Sequence, residues 1–182
     1  MAHLALELAS TIRHDGHGGV ADDLDSEEGF RQWTRDHVGD VEGDRDQVVA
    51  LRRAVRTLFA HAVRPAEPSK ADATNLLEPH VALEMVNAAA GDVLRAPQLD
   101  WPDDGDPAIR YKVTGGDELL ATLARAAIEF LASDDRTRLR ACPAPRCVRY
   151  FVKQHPQQEW CKPSCGNRAR VSRYYKRRNE PV

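Results

Sequence analysis

The sequence predicts a mainly α-helical body containing a β-hairpin, followed by a C-terminal treble-clef-like four-cysteine zinc finger. Three observations carry this reading. Two segments repeat apolar residues every three to four positions, a Pro/Asp-rich turn separates two strand-like runs, and all four cysteines lie within residues 142–165 of the 182. That length accommodates one good core and a small appended module.

The first segment, His3 to Ile12, combines alanine content with helical length, although Leu4, Leu6 and Leu8 also alternate as in a strand; helix is the favoured reading. His14-Asp-Gly-His17-Gly-Gly19 follows and reads as a flexible Gly-rich loop. The alternative, a small-molecule or metal site at His14 and His17, lacks a third ligand and any phosphate-loop spacing. Asp25 and Glu28 suggest a capping box for a helix from about Ser26 to His37, stopped by Gly39-Asp40.

Asp46 to Val63 is the clearest helix of the body. Val48, Leu51, Val55, Leu58 and Ala62 form its apolar stripe, and Arg52, Arg53 and Arg56 are expected to face away from it. Pro65 and Pro68 end it. Ser69 reads as the N-cap of a further helical stretch, kinked near Pro79 and running to about Ala90. Gln98–Trp101 and Ile109–Val113 flank the turn Pro102–Pro107 and predict the hairpin. The Asp-rich turn lacks the length and terminal Glu of a calcium loop. Asp117 to Ala132 is the second strong amphipathic helix.

The charge then changes sign. Residues 1–135 hold 13 Lys+Arg against 26 Asp+Glu, a net of −13, and residues 136–182 hold 13 against 2, a net of +11. The expected domains are therefore 1–135, an acidic helical unit for effector binding or dimerisation, and 136–182, a basic module. A basic end on an acidic body is the electrostatic footprint of a nucleic-acid binder, with attraction between the two charges as the competing explanation.

Cys142, Cys147, Cys161 and Cys165 are spaced C-x4-C-x13-C-x3-C, two short-spaced pairs suited to one tetrahedral zinc ion. Four cysteines close the shell, so the zinc is expected to be structural. Disulfides and a redox centre are the alternatives. The opening Met1-Ala2-His3 lacks a basic n-region and an apolar h-region, so a cytoplasmic, thiol-reducing setting is expected. Iron–sulfur spacings differ. No run approaches eighteen apolar residues, so no membrane span is expected. His155, in the turn His155-Pro156-Gln157, is a weaker rival ligand.

Within the module, Val148–Val152 reads as a strand, Gln158–Trp160 as its return, and Pro163 as the first turn of a helix carrying Cys165. On a wheel of about 100° per residue, Val171, Tyr174 and Tyr175 gather on one side, expected to pack on the hairpin and body. Arg170, Arg173 and Arg177 form another stripe, flanked by Arg168, Lys176 and Arg178, with Gly166 at its tip for close phosphate approach. Arginine suits phosphate and guanine because its fork bonds both bidentately. Arg149 and Lys153 on the strand complete the expected nucleic-acid contacts.

Trp160-Cys161, Cys165-Gly166-Asn167-Arg168 and Arg170 resemble the CGNR zinc-finger family. The opening Leu4-Ala5-Leu6-Glu7-Leu8-Ala9 and the element order resemble the ABATE-type domain that accompanies that finger in bacterial proteins. The resemblance implies a DNA-binding, stress-responsive transcription regulator of the bacterial cytosol and nucleoid. The chain departs from it at Ser10-Thr11, where the family tends to have Asn-Thr. It departs again at Lys153, His155 and Gln158-Glu159, which replace the family's Asp, Ser and Arg pair.

The leading expectation is a DNA-binding regulator. An RNA-binding or protein-interaction zinc module is the alternative, the RNA reading being favoured if Tyr150, Phe151 and Tyr174 are exposed for base stacking. No zinc-protease, dinucleotide, phosphate-loop or nucleophile-elbow motif is present in the sequence, so an enzyme is not expected. The body is instead expected to bind a small-molecule effector or a second copy of the chain.

Overall fold

The computed structural model describes residues 3–17 and 19–179. Met1, Ala2, Gly18 and residues 180–182, which include one glycine of the His14–Gly19 loop and the ends of both expected domains, lie outside the described residues. The helices are α1 (Leu4–Ser10), α2 (Glu27–His37), α3 (Arg45–Ala62), α4 (Pro79–Gly91), α5 (Glu118–Ala132) and α6 (Pro163–Asn179). Three antiparallel two-stranded ribbons join them: β1 (Ile12–His14) with β2 (Val20–Asp22), β3 (Val93–Asp100) with β4 (Ala108–Gly115), and β5 (Leu139–Ala141) with β6 (Tyr150–Val152). No helix among the described residues is long and apolar enough to cross a membrane.

The core lies where α3 and α5 pack against α1 and α4. Leu8, Val55, Phe59, Leu119 and Leu123 are all fully buried, each contributing about 1.5–3 kcal/mol for a side chain of that size. Asp44 caps α3 by accepting from the amides of Asp46 and Gln47. Asp117 caps α5 through Oδ1, which accepts from Leu120 N, and its Oδ2 accepts from Asp44 N at 2.9 Å. One carboxylate thus holds two helix starts together.

Several expectations are corrected. The helix at the N-terminus ends at Ser10, and Ile12 joins the unforeseen β1–β2 ribbon. The α2 cap is Ser26, which accepts from Gly29 N. Pro79 begins α4 at its first turn rather than kinking it. Ser69 caps no long helix: only a 3-10 turn, Lys70–Asp72, follows it. Its hydroxyl donates instead to Val148 O at 2.8 Å. The β3–β4 ribbon is longer than expected and leaves Trp101 outside the strand.

Arg52 and Arg56 do not face away. They are 4% and 2% exposed, and each forms a two-pronged pair with a carboxylate brought in by the fold. Arg52 holds both oxygens of Asp22 at 2.5 and 2.6 Å. Burial pushes the Asp22 carboxyl up, but its bonds to Arg52 and to Leu24 N outweigh that and hold it below its ordinary value. Arg56 holds Asp72 at 2.7 and 3.1 Å and also donates to Ala9 O, Ser69 Oγ and Val148 O. A buried guanidinium is stable only with its donors satisfied in this way.

Val148 belongs to the C-terminal basic segment, so this network ties that segment to the body. Leu139, Tyr150 and Val152 also enter the same core as α3 and α5. The expected pairing of residues 148–152 with 158–160 is replaced by β5–β6, in register Leu139↔Val152 and Ala141↔Tyr150.

Candidate metal centre and basic surface

The first cysteine pair sits in a knuckle directly after β5. Cys142 N donates to Arg149 O at 2.9 Å and Cys147 N to Ala144 O at 3.1 Å. Arg146 takes φ 62° at the turn, a left-handed conformation that reverses the chain so both sulfurs face one point. Lys70 of the body donates to Ala144 O at 2.9 Å and pins the knuckle from outside. The second pair straddles the start of α6, where Cys165 N bonds Lys162 O at 3.0 Å.

All four Sγ atoms lie within 4.8 Å of one another. Cys147 and Cys161 sulfurs are 3.7 Å apart, and those of Cys161 and Cys165 3.5 Å. Zinc–sulfur bonds of about 2.3 Å in a tetrahedron separate sulfurs by roughly 3.8 Å, so the cluster fits one zinc ion. None of the four is joined in a disulfide, whose sulfurs would lie ~2.05 Å apart. Their protons compete. Cys147 is held far below its usual value because Cys142 and Cys161 donate to it; Cys142 is pushed up to about 11 by its bond to Cys147; Cys161 is raised by Cys142 and Cys147. A dication resolves that competition by stabilising four thiolates at once. His155 is exposed on the turn and outside the cluster.

Arg168 points at this centre. Its Nη2 donates to Cys165 Sγ at 3.1 Å, and that bond raises the guanidinium's own affinity for its proton. Gly166 is buried rather than offered to a phosphate: a Cβ there would meet the Trp160 ring at 3.5 Å. Beyond Ala169 the helix is largely exposed. Val171, Tyr174 and Tyr175, expected to pack inward, are 55–58% exposed.

The basic side chains divide. Arg170, Arg173, Lys176, Arg177 and Arg178 are exposed along α6, with Arg170 bonded to Asn167 Oδ1 and Arg173 over Trp160 at 5.7 Å. Arg149 is half-buried, and the half-buried Lys153 spends its ammonium on Pro156 O at 2.6 Å. Tyr150 and Phe151, which the RNA reading needed in the open, are buried. A groove of about 750 Å³ lies between knuckle and α6, lined by Pro145, Arg146, Asn167, Arg168, Tyr175 and Lys176. Sequence reasoning missed Arg146; its position between the two knuckle cysteines was the available signal. It also missed the buried Arg52 and Arg56, whose partners are remote in the chain.

The remaining candidate, the His14–His17 loop, is a turn closed on itself. Gly16 N donates to His14 Nδ1, and His17 N and Gly19 N donate to Asp15 Oδ1. Among the described residues the four cysteines are the one group placed to hold a metal.

Comparison with known proteins assigns both parts of the chain. The ABATE family model, described as "Putative stress-induced transcription regulator", matches residues 2–134. The CGNR zinc-finger model matches residues 138–178. No curated protein matches the chain.

Proposed function

The chain belongs to the ABATE family and ends in a CGNR zinc finger that holds one structural Zn2+ on Cys142, Cys147, Cys161 and Cys165; from that premise we propose that it is a zinc-dependent, DNA-binding transcription regulator of the bacterial cytoplasm. The observation that carries this is the stretch Arg170–Arg178, with five exposed basic residues on a helix whose first turn carries the metal ligand Cys165. The zinc fixes where the helix begins, and the basic groove beside it continues the positive surface onto the knuckle. The body, of opposite charge, presents the finger without competing for phosphate.

Arg170, Arg173, Lys176, Arg177 and Arg178 carry the phosphate contacts in this reading, with Arg149 at the margin. Lys153 reaches DNA only by releasing Pro156 O. Arg168 acts through the metal centre. With about five neutralised phosphates, log affinity falls with log salt at a slope near roughly −4.5. Fluorescence anisotropy of a labelled duplex, with zinc-loaded protein at two or more salt concentrations, tests this. Binding that ignores salt, or no binding at all, defeats the proposal; preference for single-stranded RNA over duplex in competition moves the function to the RNA class.

An effector-binding role for the body has weaker support. The cavity over α3, about 410 Å³, is lined by Arg52, Arg53 and Arg56, but all three guanidinium groups are already engaged, by Asp22, Asn75 O and Asp72.

A further inference from the structure

The β3–β4 ribbon is anchored at one end and open to water along the rest. At its base Val93 is buried and Arg125 donates to the carbonyls of Ala90 and Val93. Gly115 there has φ +123°, and a Cβ would lie 2.2 Å from Asp92 O, so only glycine fits. Seven further residue pairs, from Leu94↔Thr114 to Asp100↔Ala108, extend beyond the anchor. At about 3.4 Å per residue the arm reaches roughly 24 Å.

Directly opposed residues of an antiparallel pair share a face, and successive pairs alternate. One face therefore carries Pro97 with Tyr111 and Leu99 with Ile109, then Arg95 with Val113. The other carries Ala96 with Lys112, Gln98 with Arg110 and Asp100 with Ala108, and near the base Leu94 with Thr114, where Leu94 is its single large apolar side chain. This is the alternation of a sheet packed on a core, yet Leu99 and Ile109 are each 67% exposed, Tyr111 56%, and Trp101 at the arm's end 66%. A lone two-stranded ribbon is marginally stable in water. The pattern fits a face that is covered.

We propose that a second copy of this chain covers it, apolar face on apolar face about a two-fold axis, and that the β3–β4 arm is the dimerisation element. Charge selects that partner. The apolar face holds one charged side chain, Arg95, whose guanidinium lies over the Tyr111 ring at 5.5 Å and 3.4 Å from Glu118. An identical face can therefore close on it without burying an unpaired charge. Asp103, Asp104 and Asp106 crowd the exposed turn at the tip, which repels nucleic acid and anionic lipid alike.

Area agrees. A large aromatic side chain offers about 150–250 Å², so the exposed apolar residues of the arm present roughly 500 Å², at the upper end of what a monomer leaves open. Two such faces with their rims approach the ~1,200–2,000 Å² of a specific interface. An isologous contact of this kind needs only the same patch twice and closes after two copies. The inference rests on the arm alone, and its readout is mass, so it stands or falls separately from DNA binding.

Sedimentation equilibrium of the full zinc-loaded chain, from low to high micromolar, is the test. The mass is expected to rise from 20.3 kDa towards twice that value. Ile109→Glu places an unpaired carboxylate at the centre of the face and is expected to weaken dimerisation at least roughly 100-fold. Lys112→Gln, on the opposite face, leaves it unchanged. Circular dichroism and zinc content establish that both variants fold. Hydrogen exchange of residues 93–115 in the wild type, dilute against concentrated, gives a reading independent of any variant and is expected to show protection on dimerisation. A wild type that stays monomeric throughout, a dimer indifferent to Ile109→Glu, or an arm whose exchange ignores concentration overturns the proposal.

Discussion

The hydroxyl of Tyr150 donates to Asp72 Oδ2 at 2.7 Å, joining a strand of the basic segment to the carboxylate that neutralises the buried Arg56 of α3. Ser69 N in turn donates to the same hydroxyl at 3.2 Å. The finger is thus fastened to the body through a satisfied, water-excluded network, and Arg56 also lies against the Tyr150 ring at 5.3 Å.

Removing the hydroxyl with Tyr150→Phe leaves Asp72 its arginine but deprives Ser69 N of its acceptor. A loss of about 1–3 kcal/mol is expected in chemical denaturation at neutral pH. The variant also carries a pH signature. Burial, then the Asp72 charge, raises the phenol above its ordinary value of 10.0. A raised folded-state value means the neutral phenol is the stabilised form, so its contribution is complete below about pH 10 and is lost as pH rises further. The wild type should therefore lose stability in that alkaline window more steeply than Tyr150→Phe.

Zinc removal is expected to affect the metal centre and not the body core. Cys161→Ser, or chelation of the wild type, is expected to abolish stoichiometric zinc and to loosen the knuckle and the start of α6. The body core, which rests on α1, α3, α4 and α5, should persist. Metal analysis, with circular dichroism for the helical signal, checks both halves. Retention of one zinc per chain by Cys161→Ser would remove that residue from the ligand set.

Arg168→Gln tests whether this arginine serves the metal. Loss of a group that bonds a ligand rather than the ion typically lowers metal affinity about 10–100-fold. Zinc affinity by competition with a chromophoric chelator should fall by that order, and Arg168→Lys should restore part of it. Unchanged zinc affinity, with weakened DNA binding in metal-saturated protein, would return Arg168 to the phosphate contacts.

Arg177→Ala addresses the exposed helix. Zinc content and thermal stability should be unaltered, because the side chain is exposed and twelve positions beyond the last metal ligand, Cys165. Affinity for duplex DNA should drop across sequences alike, and the salt slope should become shallower by about 1. An unchanged slope would take Arg177 out of the interface.

The cysteine spacing, the two amphipathic periodicities and the reversal of charge near residue 135 were sufficient in the sequence to locate the metal ligands, the main helices and the basic end. Each is local: a knuckle needs neighbouring cysteines, and a helix face repeats within a few residues. Tertiary structure alone decided the rest. Arg52 and Arg56 look like solvated charges on a helix wheel, and only folding brings Asp22 from 30 residues away and Asp72 from 16 to meet them. Likewise β6 chose β5 over the nearer segment 158–160, because Leu139 and Val152 could then enter the body core together. Periodicity records which side of an element is apolar, whereas the partner of a buried charge or of a strand edge is set by whatever the completed fold carries into reach.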